Sequence, residues 1–298
     1  MNIIGKRKFW IILSATLVVV SIPVIILFHP KLGIDYTGGS LFEIQTVSPM
    51  TISEVRDQLQ DTTEGKNLLI QESGSSAYII RTSPLEGEKF NSFEKELQDK
   101  LPGSSIVRHE MIGATVGKDL TRKAIIGIIL ASILIVAYIA YAFRSVPRSV
   151  SAWSFGTVAV IALVHDLIVA FAIFSVIGRA AGYELDSLAV VAALTTLGFS
   201  VHDTIVVFDR IRENVIKNPQ SSFAEVANIS VNQTFARSLN TSLTAVLVLI
   251  SLLILGGASI RPFVLFLTIG ISIGTYSSIF VASPLVVFWQ ERQNKSSR

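Results

Sequence analysis

A carboxylate lies inside a segment that is apolar enough to cross a membrane. Asp203 falls, next to His202, within the apolar run of residues 188–208. An aspartate at the centre of a membrane helix costs roughly 2.5 to 3.5 kcal/mol, so we expect such a residue to have a function. Thr196, Ser200 and Asp203 recur at i, i+4 and i+7 and therefore share one helix face. The pattern predicts a polar stripe that includes an ionisable group.

The next apolar run, residues 239–257, begins with a second polar stripe, made of Arg237, Asn240, Thr241 and Thr244. Because the two runs are consecutive, Arg237 could pair with Asp203. One interpretation is a static salt bridge between two helices, which recovers only part of its desolvation cost. The other is a carboxylate that binds and releases a proton while Arg237, which stays charged, alters its proton affinity. The hydroxyl groups favour the second interpretation, because they could hold a file of water.

A second ionisable pair, His165 and Asp166, lies midway through the apolar run of residues 150–177. Neighbouring residues on a helix point in different directions, so at most one of them faces a given partner. For His165 we expect a packing hydrogen bond to a nearby backbone or hydroxyl group, and Asp166 is the second candidate for handling protons. Glu184 and Asp186, beyond the outer end of this run, are expected to be solvated.

Glycines are concentrated in one short stretch, Gly33-Ile-Asp-Tyr-Thr-Gly-Gly-Ser40. Its glycines Gly33, Gly38 and Gly39, close to Asp35, predict a tight turn that lets the backbone lie against a helix end. A phosphate-binding loop is the alternative, but the spacing matches no P-loop and no Lys-Ser/Thr follows. A GxxxG pattern at residues 270–274 predicts close packing of two helices.

The composition indicates the elements that must position these residues. The 298 residues are 50% hydrophobic and 16% charged, with a mean hydropathy of +0.58, which indicates an integral membrane protein. The chain has no cysteine, which excludes disulfides, thiolate metal sites and cysteine nucleophiles, and its four histidines are scattered. We therefore expect neither a metal nor another cofactor. Six runs are long enough to span a bilayer, at residues 9–28, 124–143, 150–177, 188–208, 239–257 and 263–289.

The distribution of basic residues predicts the topology. With both termini in the cytoplasm, twelve Lys and Arg residues lie on the inner side and only Arg179 and Arg261 lie in the short outer loops. Residues 1–8 and 291–298 are then cytoplasmic, and the first span is expected to remain uncleaved. Residues 122–290 form a five-helix membrane domain. Within it, residues 209–238 are predicted to be a cytoplasmic loop with one or two interfacial amphipathic helices.

Residues 29–121 are predicted to form a small domain outside the membrane. Strands are expected at residues 40–46, 67–72, 76–82 and 104–112, and helices at residues 51–61 and 89–100. This βαββαβ order is that of a ferredoxin-like α+β sandwich. Thr51 and Glu54 have the spacing of a capping box, and residues 74–76 predict a turn between the middle strands. Residues 32–121 carry fourteen acids and eight bases, a net charge of minus six, which leaves plus nine for the remainder.

Four stretches of the sequence resemble the SecF family of bacterial protein translocase subunits. Residues 33–39 are similar to the glycine-rich motif that follows the first span of that family. Residues 197–214, Leu-Gly-Phe-Ser-Val-His-Asp-Thr-Ile-Val-Val-Phe-Asp-Arg-Ile-Arg-Glu-Asn, are similar to its fourth-span signature. The His165-Asp166 pair and residues 233–242 also match, so the resemblance covers nearly the whole chain.

The resemblance implies a half-transporter of the resistance-nodulation-division type in the bacterial cytoplasmic membrane. Its expected partner is SecD, whose six spans complete a twelve-helix unit that assists the export of unfolded preproteins. The SecYEG channel, the SecA motor and the accessory proteins YajC and YidC are further expected partners, and nucleic acid is not. In this family the proton motive force is coupled to motion of the outer domains, and no enzymatic activity is implied.

The resemblance also assigns roles to single residues. The intramembrane Asp and Arg of the family correspond to Asp203, as proton carrier, and Arg237, as its electrostatic switch. His202 departs from the family pattern, which commonly has Asn there. Its ring is expected either to replace the Asn hydrogen bond in neutral form or to add a group that titrates near neutral pH. A carboxylate with nearby hydroxyls can bind either H⁺ or Na⁺, so both coupling ions fit the sequence.

Two other functions fit parts of the pattern. A proton-coupled exporter of small molecules could share the fold, but such a pump usually needs larger outer domains to form a substrate pocket. A non-conducting membrane scaffold is the second alternative. For a scaffold, Asp203→Asn should have no effect, because it removes titration while keeping shape and hydrogen bonding.

Overall fold

A computed structural model describes residues 1–65, 68–74, 76–143 and 152–296 of the chain. Within these residues, six helical segments are long and apolar enough to cross a membrane: Ile4–Phe28, Ala114–Ala142, Trp153–Ala181, Ser187–Lys217, Phe223–Leu255 and Arg261–Gln293. They correspond to the six spans predicted from the sequence. Ser75 of the predicted turn and the predicted inner-side bases Arg144, Arg148 and Arg298 lie outside the described residues.

In the described residues, the membrane domain consists of seven helices and one π-helical turn. The helices are α1 (Arg7–Phe28), α5 (Ala114–Ala142), α6 (Ala152–Ala181), α7 (Ser187–Lys217), α8 (Phe223–Leu255), α9 (Arg261–Ser277) and α10 (Ser283–Ser296). The π-helical turn, Ser278–Ala282, joins α9 to α10 within the sixth span. Spans three, four and six are the centre of the bundle, with 50 to 67% of their most apolar windows buried, against 6 to 11% for the other three.

The segment predicted to be a cytoplasmic loop, residues 209–238, is instead mostly a helical continuation of two spans. α7 runs on to Lys217 and α8 begins at Phe223, so only residues 218–222 connect them. A capping box between Ser222 and Glu225 starts α8. Of the apolar residues in this segment, Ile211 belongs to the bundle core and Val226 is buried, whereas Ile216 and Ile229 are exposed. The prediction was wrong because charged residues on the outer face of a long helix have the same pattern as a separate amphipathic helix.

Met1 and α10 both lie at the end of the bundle where α7 joins α8. The amino group of Met1 donates a hydrogen bond to Asn232 at 2.9 Å, and Arg7 forms a salt bridge with Glu291 at 2.8 Å. The opposite end of the bundle carries the small domain. The chain therefore crosses an even number of times between the two termini.

The small domain is a four-stranded antiparallel sheet with two helices on one face. The short helix α2 (Ile34–Thr37) precedes it, and its elements are β1 (Gly39–Gln45), α3 (Ile52–Leu59), β2 (Leu69–Glu72), β3 (Ala77–Thr82), α4 (Glu88–Lys100) and β4 (Ser105–Ile112). The strand order is β2-β3-β1-β4, which with the βαββαβ chain order is the ferredoxin-like arrangement. The predicted capping box between Thr51 and Glu54 is present.

Strand alternation divides the residues of the sheet between two faces. Phe42 and Ile80 are fully buried against α3 and α4, because successive side chains of a strand point to opposite faces. Leu41 and Ile79 point the other way and pack on Ile34. This second face is turned toward the membrane domain and also carries the polar residues Glu43, Gln71 and Arg81.

Candidate functional site

Asp203 lies in the buried interior of the helix bundle, as its stripe predicts. Its residue is 2% exposed, and one carboxylate oxygen accepts a hydrogen bond from the Ser242 hydroxyl of α8 at 3.1 Å. The Thr275 side chain of α9 also lies near this carboxylate, and its hydroxyl donates to the Ile271 carbonyl at 2.9 Å. Thr196 and Ser200 are equally buried, so the predicted stripe on α7 faces the interior along its length.

Arg237 is not the partner of Asp203, which corrects the expectation from the sequence. Its side chain is exposed, and among the described residues it forms no salt bridge. It lines a cleft of about 330 Å³ between α7 and α8, together with Asp209 and Glu213. The inward-facing polar stripe of α8 is Thr234, Ser238 and Ser242, all buried.

The other members of the predicted α8 stripe also face outward. Asn240, Thr241 and Thr244 are exposed. The two threonine hydroxyls bond to their own helix. Thr241 donates to the Arg237 carbonyl at 3.0 Å, and Thr244 donates to the Asn240 carbonyl at 2.8 Å. His202 is exposed as well, on the outer face of α7. Polar groups at these positions are therefore presented at the surface of the bundle.

A second buried carboxylate, Asp166, joins three central helices. It is 0% exposed and accepts hydrogen bonds from Ser200 of α7 at 2.6 Å and Ser277 of α9 at 2.7 Å. The third donor is the adjacent residue, because Nδ1 of His165 lies 2.9 Å from Asp166 Oδ1. The expectation that His165 bonds a backbone or hydroxyl group was therefore wrong, and the two neighbouring side chains contact each other.

The π-helical turn extends this polar cluster toward Asp203. Ser278, its first residue, donates to the Ser200 carbonyl at 3.2 Å and is 2.9 Å from the Thr204 hydroxyl. Single π-helical turns are often found at functional sites. Asp166 and Asp203 consequently lie on either side of one hydroxyl-rich contact between α7 and the sixth span.

The glycines of the GxxxG pattern allow this contact. A Cβ placed on Gly270 would lie 2.6 Å from Cγ2 of Thr196, and one on Gly274 would lie 2.9 Å from Cβ of Ser200. Carbon atoms normally pack at about 3.5 to 4.0 Å. The two glycines therefore accept the polar stripe of α7, and their predicted role in close packing is confirmed.

The glycine-rich motif attaches the small domain to the N-terminal end of α7. The Gly33 amide donates to the Leu185 carbonyl at 2.7 Å, and Asp35 accepts from the Ser187 amide, the first of α7, at 2.6 Å. Gly38, at φ +75°, lies so close to the start of α5 that a Cβ would be 2.9 Å from the Ala114 Cα. The predicted tight turn against helix ends is confirmed.

A buried salt bridge completes the attachment. Glu184, expected to be solvated, is 6% exposed and pairs with Arg81 of β3 at 3.2 Å. Arg81 also donates to Gln71 at 2.6 Å, and Gln71 donates to the Gly182 carbonyl. The loop between α6 and α7 is thus held by the sheet.

Ionisable groups at this junction have shifted pKa values. Burial raises the pKa of Glu184 above its usual range, although Arg81 opposes the shift. Burial and the neighbouring Asp35 raise the pKa of Asp186, which caps α7 by accepting from the Ala189 amide. Burial, Asp186 and Asp35 together raise the pKa of Tyr36 to about 12. Asp186, too, is therefore a structural group rather than a solvated one.

Several site residues were not identified from the sequence, namely Ser238, Ser242, Ser277, Ser278, Thr204 and Thr275. Serines and threonines are common in apolar helices, so single ones carry little information. A usable signal was present in α8, where Thr234, Ser238 and Ser242 recur every four residues. This series differs by one position from the exposed stripe and has no charged member.

The fold and the site define a multi-pass membrane protein with two buried carboxylates in its helix bundle and a ferredoxin-like domain docked at one end. Residues 92–292 match the family model of the protein export membrane protein SecD/SecF, C-terminal, and residues 24–50 match that of the SecD/SecF GG motif. The chain belongs to the SecF family of protein translocase subunits.

Relatives match over nearly the full chain. Protein translocase subunit SecF of Thermobaculum terrenum is 39% identical over 98% of this chain and 94% of its own. The SecF subunit of Petrotoga mobilis is 34% identical over 100% of this chain and 98% of its own. The crystal structure of SecDF from Thermus thermophilus, a translocon-associated membrane protein, superposes with a TM-score of 0.85 at 30% identity. The match covers 98% of this chain and 39% of that one, so the chain corresponds to about two fifths of SecDF.

Proposed function

We propose that the chain works with a SecD-type partner to couple the proton motive force to preprotein export across the bacterial cytoplasmic membrane. The observation that carries the proposal is the placement of Asp203. It is a buried carboxylate in a membrane helix, held by a hydroxyl from α8. Such groups in membrane proteins commonly belong to proton relays.

The exposed polar face of the bundle supports a partner of the same kind. Asn240, Thr241 and Thr244 would face hydrocarbon if this bundle were alone, and Arg237 lies beside them at the α7–α8 cleft. Polar side chains of membrane helices almost always face the interior of a bundle, so we infer that a second bundle covers this face. In that assembly Arg237 would meet an acidic residue of the partner rather than Asp203. The relative SecDF, in which this chain matches two fifths of the length, supports the pairing.

The attachment of the small domain suggests how the site acts on the outer side. α7 carries Asp203 and begins at the glycine-rich motif, where Asp35 accepts from Ser187. β1 follows the same motif directly. A change in the position of α7 would therefore reach the sheet through few intervening bonds. The positive-inside distribution of bases supports an orientation with the sheet outside and both termini in the cytoplasm.

Export in living cells tests this function. In cells depleted of their own SecF-type subunit, the wild-type chain should restore export of a secreted reporter, and a protonophore should remove the gain. Cells with Asp203→Asn should export no more reporter than wild-type cells treated with the protonophore, and the variant should reach normal amounts in the membrane. Ser251→Ala, an exposed α8 serine bonded only to its own helix, is the matched control. Full restoration by Asp203→Asn would contradict coupling and favour a scaffold.

A further inference from the structure

A line of buried hydroxyls on α8 leads from Asp203 to the cleft between α7 and α8. Thr234, Ser238 and Ser242 are 7%, 1% and 3% exposed. Four residues of helix advance about 6 Å, so the line is about 12 Å long. Ser242 donates to Asp203 at its inner end, and Thr234 lines the cleft at its outer end.

The middle member of the line lacks a partner. The Ser238 hydroxyl is buried and forms no hydrogen bond with any described residue. Buried polar side-chain atoms are nearly always hydrogen-bonded, to protein or to ordered water. Ser238 is therefore expected to bind a water molecule between the other two hydroxyls.

The cleft can supply that water. Its volume is about 330 Å³, room for roughly ten water molecules at about 30 Å³ each. Val206, one turn from Asp203, lines its wall, whereas the next residue, Val207, is 0% exposed in the bundle core. The charged groups facing the cleft are Asp209, Arg210, Glu213 and Arg237, so its surface is strongly polar.

We propose that Thr234, Ser238 and Ser242 with the α7–α8 cleft form the water-filled path by which Asp203 exchanges protons with the solution at the termini side of the bundle. The proposal rests on the proposed function and adds a route to it. A proton leaving the Asp203 carboxyl passes to the Ser242 oxygen as the Ser242 proton moves on to the next oxygen. The last oxygen releases a proton to cleft water, which leaves a carboxylate and one hydronium ion. The reverse order protonates Asp203 again.

Cysteine accessibility tests the path without requiring export. The chain has no cysteine, so single substitutions can be labelled in the assembled complex with Ag⁺, a thiol-reactive cation small enough to follow a line of water molecules. In inverted membrane vesicles, Val206→Cys, Thr234→Cys and Ser238→Cys should react at least tenfold faster than Val207→Cys. Equal rates for Ser238→Cys and Val207→Cys would overturn the path. These rates are measured without a gradient, so failure of coupling would leave them unchanged.

Blocking the path tests its use. Ser238→Val fills the line, and Ser238→Ala removes the hydroxyl without adding volume. Both should lower the gradient-dependent part of export at least fivefold and leave the gradient-independent part unchanged, and Ser251→Val should match the wild type. Normal gradient-dependent export in both Ser238 variants would overturn the proposal, even if Ser238→Cys is labelled.

Discussion

Gly274→Ala tests whether the contact between α7 and α9 holds the polar cluster together. The added Cβ would lie 2.9 Å from Cβ and 3.2 Å from Cα of Ser200. Because carbon atoms pack at 3.5 Å or more, the helices must separate by about 0.6 Å. Overpacking of this kind costs about 1 to 3 kcal/mol. The shift would also lengthen the Ser200 and Ser277 hydrogen bonds to Asp166, now 2.6 and 2.7 Å.

Thermal unfolding of the purified protein in detergent measures this effect. Gly198→Ala, on α7 with nothing within 4 Å of its added Cβ, is the control and should be neutral or stabilising by up to about 1 kcal/mol. Adding Ser200→Gly removes the Cβ and Oγ contacts, so the double variant should lose less stability than the sum of the single variants. A Gly274→Ala protein as stable as Gly198→Ala, or strict additivity, would refute the packing argument.

Two further predictions concern the junction of the sheet with α7. Glu184 has a pKa raised above its ordinary value of 4.5 because it is buried. The native state therefore binds more protons than the unfolded state between these two values, and docking should strengthen as pH falls from the raised value toward 4.5. Hydrogen exchange of the β2 and β3 amides over this pH range should show the stronger docking. Glu184→Gln should abolish this pH dependence, and an unchanged pH dependence in the variant would contradict the assignment. Tyr36, with a pKa of about 12 against the usual 10.0, should lose its phenolic proton later than other tyrosines, and stability should fall as pH rises between these values. In an ultraviolet titration, the wild type should show a tyrosine that ionises near pH 12 and that Tyr36→Phe lacks. A wild type without this component would refute the assignment.

The sequence predicted the elements of the fold and one wall of the site. Long apolar runs and strand alternation reflect how each segment by itself buries apolar side chains. The spans and the βαββαβ order could therefore be deduced from each stretch of sequence without knowledge of its neighbours in space. The stripe of α7 was predicted because Asp203 is costly in lipid unless it faces inward. The helical ends of α7 and α8 were missed because their charged faces look like a solvated loop.

The partner of Asp203 could not be deduced in the same way. α8 offers two polar stripes one position apart, one with Arg237 and one with Ser242. Charge complementarity favoured Arg237, but which stripe faces α7 depends on the rotation of α8, and packing with α9 decides that. Glu184 was missed for a related reason, because its partner Arg81 is about a hundred residues away in the chain, in a different domain.

Proton flux through the assembled complex tests the central claim most directly. The chain and its SecD-type partner are reconstituted in liposomes that contain a pH-sensitive dye, an acid pulse is applied outside, and internal acidification is followed with an engaged preprotein. The wild-type complex should acidify the interior, and Asp203→Asn should reduce the rate to that of protein-free liposomes, with Ser251→Ala unchanged. Wild-type flux in Asp203→Asn would contradict the assignment of Asp203 as the proton carrier.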